Sequence, residues 1–251
     1  MLTSHPADTL RVAMPKRLVI FDGDDTLWRV EELYDSALRE AERSVEAAGL
    51  AGNEWRRLQR EYDLRNVNGL GMSPERFPLS SRQALLEVAR KHGKEVSDTL
   101  VEEVVEISRS VFVQPAPVIP AARQVLSALK PTFQLALLTK GDTVVQGRRV
   151  RESGLSSWFA QTQIVSDKDE AVFKQLISDF DVQPDEAWSV GNSLASDVNP
   201  ALRAGLNAIW IDAHVWEHER RELEAAHARV VVLDRLEQVP EILLPSGANE
   251  P

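Results

Sequence analysis

The sequence predicts an α/β fold, a parallel sheet with a helical unit inserted into it. Three observations carry this. Short apolar runs of four to six residues alternate with stretches of helical periodicity, the pattern of strands joined by crossover helices. The runs are rich in Val, Ile, Leu and Phe without polar alternation, as expected for strands covered on both faces. The alternation breaks once, over residues 30–113, where four helical patterns follow one another with no strand-like run between them.

In chain order, residues 1–15 (MLTSHPADTLRVAMP) are polar and acidic. They are expected to form a disordered tail, with Met14 a possible true start. Residues 17–21 form the first predicted strand. In the first helix of the insert, Leu33, Ala37, Ala41, Val45 and Ala48 recur at spacings of three and four, one face of a helix. In the last, Leu100, Val101, Val104, Val105, Ser108, Val111 and Phe112 do the same. Glycines and a proline in residues 66–74 predict a turn between the inner helices. Residues 114–120 hold three prolines and predict a stiff return linker. Further strands are predicted at 133–138, 161–165, 187–190, 208–211 and 230–233. Helices are predicted at 120–129, 143–153, 170–179 and 194–204. The predicted core is therefore residues 16–29 and 114–244 around an insert at 30–113, with a second disordered tail at 245–251.

Composition narrows the function. The 251 residues carry 39 acidic side chains against 29 Lys and Arg, a formal net charge of −10. That balance argues against a nucleic-acid partner, whose backbone needs clustered positive charge. The absence of cysteine removes disulfides, thiolate metal sites and a Cys nucleophile. No run approaches the ~20 apolar residues of a membrane span, and the first residues lack the apolar stretch of a secretory signal. A cytoplasmic protein without a membrane partner is expected.

The candidate chemistry sits at the predicted strand ends. The first strand runs into Asp22-Gly23-Asp24-Asp25-Thr26. Three carboxylates at the carboxyl edge of a buried parallel sheet are costly unless something positive lies among them, and open α/β sheets bind ligands at that edge. A hard divalent cation, Mg²⁺, would account for the cluster through oxygen ligands. Strand period places Asp22 and Asp24 on one side with Asp25 opposite, so one of the pair can act as nucleophile and the other as acid and base. Alone, the segment also reads as a polar turn. The second strand ends in Thr139-Lys140-Gly141-Asp142, which suits either an anion site or a helix cap. Lys168, between a strand and a helix, can neutralise a carboxylate–phosphate cluster or be a solvated surface lysine; Lys174, inside the helix, is the fallback. Gly191-Asn192-Ser193 through Asp197 offers oxygen ligands or, equally, helix-capping groups. His214 and His218 lack the His-Glu-x-x-His pattern and a third ligand, so they are not read as a zinc site. The tryptophans at 158, 188, 210 and 216 read as packing residues.

Together these segments resemble the haloacid dehalogenase-like hydrolase superfamily over residues 16–211. Its first motif, four apolar residues and then Asp-x-Asp-x-Thr, is matched by residues 18–21, Asp22, Asp24 and Thr26. Its strand-terminal Thr or Ser is matched by Thr139, its lysine by Lys168, and its terminal acidic pair by Asn192 and Asp197. The first position of that pair is ordinarily acidic; Asn192 supplies an oxygen but no charge. The resemblance implies a Rossmann-like parallel core and makes the insert an α-helical cap domain over the active site.

It further implies a Mg²⁺-dependent phosphatase acting on a small-molecule phosphomonoester through an aspartyl-phosphate. Asp22 would be the nucleophile and Asp24 the general acid and base. Thr139, Lys140 and Lys168 would hold phosphate oxygens. Asp22, the Asp24 main-chain carbonyl, Asn192 and Asp197 would hold the ion. A dehalogenase of the same superfamily needs neither a metal nor an acid at Asp24. A phosphomutase shares these residues. A phosphate-binding or scaffolding protein with little catalysis is the reading that Asn192 favours. Arg56, Arg57, Arg60, Arg65 and Arg76 in the insert are candidate substrate contacts or solvated surface.

Overall fold

The computed structural model describes residues 17–212, 221–224 and 228–245. Both expected tails apart from Pro245, Met14, His214, Trp216 and His218 lie outside the described residues. Six strands form one parallel sheet: β1 (Leu18–Phe21), β2 (Gln134–Lys140), β3 (Gln161–Val165), β4 (Ala187–Gly191), β5 (Asn207–Ile211) and β6 (Val230–Leu233), in the order β3-β2-β1-β4-β5-β6. The chain winds from β1 out to β3, then crosses back to β4 on the other side of β1. The reversal of winding falls between β1 and β4, whose carboxyl ends form the crevice where such sheets take ligands.

β1 is buried on both faces because its side chains alternate between two cores. Val19 and Phe21 pack with Val125, Leu126 and Leu129 of α5 (Ala122–Leu129) and with Val239 of α9 (Val239–Leu243). Leu18 and Ile20 face Phe173, Leu176, Ile177 and Phe180 of α7 (Glu170–Phe180) and Ala201 of α8 (Asn199–Arg203). The crossover from β2 to β3 is α6 (Thr143–Ser153).

Between β1 and α5 lie α1 (Glu31–Ala47), α2 (Gly52–Leu70), α3 (Arg76–Lys91) and α4 (Asp98–Ser110). They bury an apolar cluster of their own around Trp55, Leu85, Val88 and Val104. A smaller cluster of Ala37, Phe77, Val111 and Phe112, with Val145 of α6 against it, joins these helices to the rest. The outgoing and returning chains are hydrogen-bonded: Arg29 N donates to Pro117 O at 2.8 Å and Ile119 N to Leu27 O at 2.9 Å.

Among the boundaries that differ from the sequence expectation, three bear on the site. β2 does not stop at Leu138; Thr139 and Lys140 continue it, in register with Ile164 and Val165 of β3. Residues 66–70 are the last turns of α2, not a turn, and Gly71 ends the helix at φ 55°. Asn66 Nδ2 donates to Ser80 Oγ and Gln83 Oε1 of α3, which ties down this polar helix end. Residues 194–204 are two pieces, a π-helical turn (Leu194–Val198) followed by α8. No helix of the described residues is long and apolar enough to cross a membrane.

Candidate functional site

β1 delivers Asp22 directly into the crevice, and Asp22 N donates to Val190 O of β4 at 2.9 Å. The chain then turns sharply. The amides of Thr26, Leu27 and Trp28 all lie on the Gly23 carbonyl at 2.8–3.2 Å. Gly23 is required there, because a Cβ would enter the Trp28 ring. Asp25 takes a left-handed φ of 59°, a conformation that Asp tolerates better than most residues. Its Oδ1 accepts from Val30 N at 2.8 Å and Glu31 N at 3.0 Å. Asp25 thus caps the start of α1, whose own first residues supply no side-chain cap. Burial is the main reason its carboxyl is pushed up to about 6.

Asp22, Lys168 and Asp197 form the charged centre. Lys168 Nζ lies 2.5 Å from Asp22 Oδ1 and 2.7 Å from Asp197 Oδ1. All three side chains are at least nine-tenths buried. Two carboxylates and one ammonium leave a formal charge of −1 in the interior. Desolvation raises the Asp22 carboxyl to about 7 against the pull of Lys168, with Asp197 pushing the same way as burial. Burial alone would lower the Lys168 ammonium, but Asp197 and Asp22 together hold it above the ordinary lysine value. Lys174 is on the surface, paired with Glu170.

The segment after β4 presents Asp197. Ser193 Oγ caps the π-helical turn by accepting from Ser196 N, and Ser193 N donates to Asp197 Oδ2 at 2.9 Å. Gly191 is required because a Cβ would overlap the Asp197 carboxyl. Asn192 is buried; its Oδ1 accepts from Thr26 Oγ1 at 3.4 Å and its main-chain oxygen from Trp210 Nε1 at 2.9 Å.

On the opposite wall, Thr139 Oγ1 donates to Gln146 Oε1 at 3.2 Å and Lys140 Nζ to Ser196 Oγ at 2.8 Å. Thr139 does not cap α6; Asp142 does, accepting from Val144 N and Val145 N. Asp22, Asp24, Thr139, Lys140, Lys168, Asn192 and Asp197 all line one cavity of ≈ 50 Å³, which Met72 of the helical insert also touches. Asp25 lines the same cavity, so it is less segregated from Asp22 and Asp24 than strand period predicts. The loop after β1 has left the extended conformation by that point.

Asp24 is held by residues that the sequence reading missed. Its Oδ2 accepts from Arg149 Nη1 at 2.7 Å and Gln146 Nε2 at 2.8 Å, and its Oδ1 from Trp28 Nε1 at 2.6 Å. The available signal was spacing: Gln146 and Arg149 stand three apart on α6, so they share a face. Of the arginines singled out in the insert, Arg76 is buried, pairs with Asp63 at 3.1 Å and lines a ≈ 40 Å³ cavity beside Asp24. Arg56 pairs with Glu42 of α1, Arg57 with Glu61 of its own helix, and Arg65 lies over the Tyr62 ring. A larger cleft of ≈ 360 Å³ opens next to the charged centre, between the end of α2 (Val67, Gly71, Met72) and Lys140, Asp167, Ser196 and Arg203.

The oxygen set around Asp22 suits a hard cation. Among the described residues no three His, Cys, Asp or Glu side chains converge as a metal site, so a bound ion would draw on two carboxylates, an amide and main-chain oxygen. The uncompensated −1 at the centre is the charge that would attract such an ion.

Comparison with known proteins identifies the family. Over 239 residues the chain is 25% identical to a glyceraldehyde 3-phosphate phosphatase of Pyrococcus furiosus, covering 90% of this chain and 92% of that one. A phosphoserine phosphatase of Thermus thermophilus is 32% identical over 102 residues, 38% of this chain and 41% of its own. A solved haloacid dehalogenase-like family hydrolase from Xanthomonas campestris superimposes with a TM-score of 0.74 at 26% identity, covering 91% of this chain and 95% of that one. Residues 16–205 match the haloacid dehalogenase-like hydrolase family, and the chain belongs to that family of hydrolases.

Proposed function

We propose that the protein hydrolyses a small-molecule phosphomonoester by way of an aspartyl-phosphate. The observation that carries this reading is the pairing of two carboxylates around one cavity. Asp22 is buried against the Lys168 ammonium, and Asp24 is held apart from it by donors on the far wall. Such a division suits a nucleophile and a proton carrier. The phosphatase relatives support the choice of a phosphate ester.

Asp22 attacks phosphorus while the bond to the leaving oxygen breaks, and Asp24 gives that oxygen a proton. Asp24 then takes a proton from water as the water attacks phosphorus and frees Asp22. Lys168, Thr139 and Lys140 hold the phosphoryl oxygens, and Lys168 also offsets charge on Asp22. Asp22, the Asp24 main-chain carbonyl, Asn192 and Asp197 would hold Mg²⁺, whose charge shields the carboxylate nucleophile from the phosphate dianion. The ≈ 360 Å³ cleft beside the centre receives the leaving group. Helices α1–α4 act as a cap, since Met72 and Arg76 bring them against the site.

The test is release of inorganic phosphate from aryl and alkyl phosphates with Mg²⁺. EDTA should stop the reaction. Asp22→Asn should lower kcat by at least about a thousandfold, with an unchanged circular dichroism spectrum. A wild-type rate in Asp22→Asn would refute the nucleophile assignment.

A further inference from the structure

Arg149 carries a permanent charge in an unusual place. Its side chain is 3% exposed, and its Nε and Nη2 are buried without a hydrogen-bond partner. Its Nη1 is spent on Asp24 Oδ2. A guanidinium buried with two idle donors is a poor way to gain stability, because desolvation offsets most of the attraction in a buried ion pair. Replacing both partners of such a pair by apolar groups is often neutral, whereas removing one alone leaves the other charge unpaired. Here that cost is lessened, because the Asp24 side chain is 26% exposed and water can reach it once Arg149 is gone.

The surrounding bonds point to the carboxyl of Asp24. Gln146 Nε2 donates to the same oxygen and Trp28 Nε1 to the other one. Gln146 is itself fixed by Thr139 Oγ1. These three donors come from α6 and the β1 loop, and none of them touches the Asp22–Lys168–Asp197 centre by a hydrogen bond. A group that gives up a proton and recovers one must stand in reach of the leaving oxygen in the first step and of water in the second.

We infer that Arg149, assisted by Gln146 and Trp28, is a positioning residue for the Asp24 carboxyl and governs proton delivery to the leaving group. This rests on the phosphatase reading above. As the ester P–O bond breaks, the proton passes from Asp24 to the departing oxygen, leaving the carboxylate that the three donors hold. An alkoxide leaving group depends on that proton. A nitrophenolate, already stable as an anion, scarcely does.

The experiment compares p-nitrophenyl phosphate with glycerol phosphate in wild type, Arg149→Met, Arg149→Lys and Trp28→Phe, with Asp24→Asn as reference. For Arg149→Met, kcat on glycerol phosphate should fall about a hundredfold. Its KM should move less than about threefold and kcat on the aryl ester less than about tenfold. Arg149→Lys should recover part of the alkyl activity, and the melting temperature of Arg149→Met should fall by no more than several degrees. Trp28→Phe removes the N–H donor together with part of a buried ring and should show the same split, more weakly, even if Arg149→Met fails to fold. Equal losses on both substrates, or a rise in KM in place of a fall in kcat, would overturn the inference alone. A wild-type protein inactive on both esters would overturn the phosphatase reading and this inference with it.

Discussion

Asn192 is the residue at which this chain departs most clearly from the pattern it otherwise follows. It is buried beside two carboxylates that share one ammonium, so an added charge there has two opposite consequences. Without metal, Asn192→Asp would increase repulsion with Asp22 and Asp197 and lower the melting temperature by several degrees. With Mg²⁺ it would strengthen the oxygen set, and the ion concentration giving half of the thermal shift should fall about tenfold. Unchanged half-saturation would place Asn192 outside the ion's reach. Burial of Asp22 follows from its position at the end of β1, an apolar strand at the sheet centre, whereas Lys168 and Asp197 read equally as surface and helix-capping residues until the fold brings them together. Arg149 was not anticipated. In the sequence it is one of several polar residues on a short helix, and only the close approach of α6 to the β1 loop reveals its partner.

Among the elements, β4 and the π-helical turn after it illustrate how backbone geometry sets the chemistry. A π-turn packs an extra residue into a helix and often occurs at functional sites. Here it turns Asp197 back over Gly191, where no methyl group fits. Gly191→Ala is therefore expected to displace the Asp197 carboxyl. The thermal shift with Mg²⁺ and the hydrolysis should be lost together, while far-ultraviolet circular dichroism is retained. Retention of the thermal shift would show that Asp197 keeps its place. The strands themselves were legible because strand-sized apolar runs leave few alternatives. Their polar ends were not, since Thr139 and Lys140 are drawn into β2 only by pairing with β3. The same holds for α2, whose last turns contain two asparagines and a glycine. Hydrogen bonds from Asn66 to α3 override their weak helical preference.

Among the described residues the apolar interior falls into two parts, the clusters on the two faces of the sheet and the cluster among α1–α4. Leu85 is fully buried in the second. Leu85→Ala should cost about 2–5 kcal/mol, and that loss should fall on the helical unit. Urea unfolding of this variant should show an early loss of helical signal, and Mg²⁺ should delay only the later transition. A single transition delayed as a whole would show that both interiors melt as one.

The antiparallel contact of residues 27–29 with 117–119 also bears on descent. Because departure and return of the helical insert occur side by side, the sheet sees the same two anchor points whatever lies between them. A lineage can lengthen, shorten or exchange that module without disturbing the catalytic floor. The part of the site that the insert supplies and the part that the sheet edge supplies can then change on separate schedules.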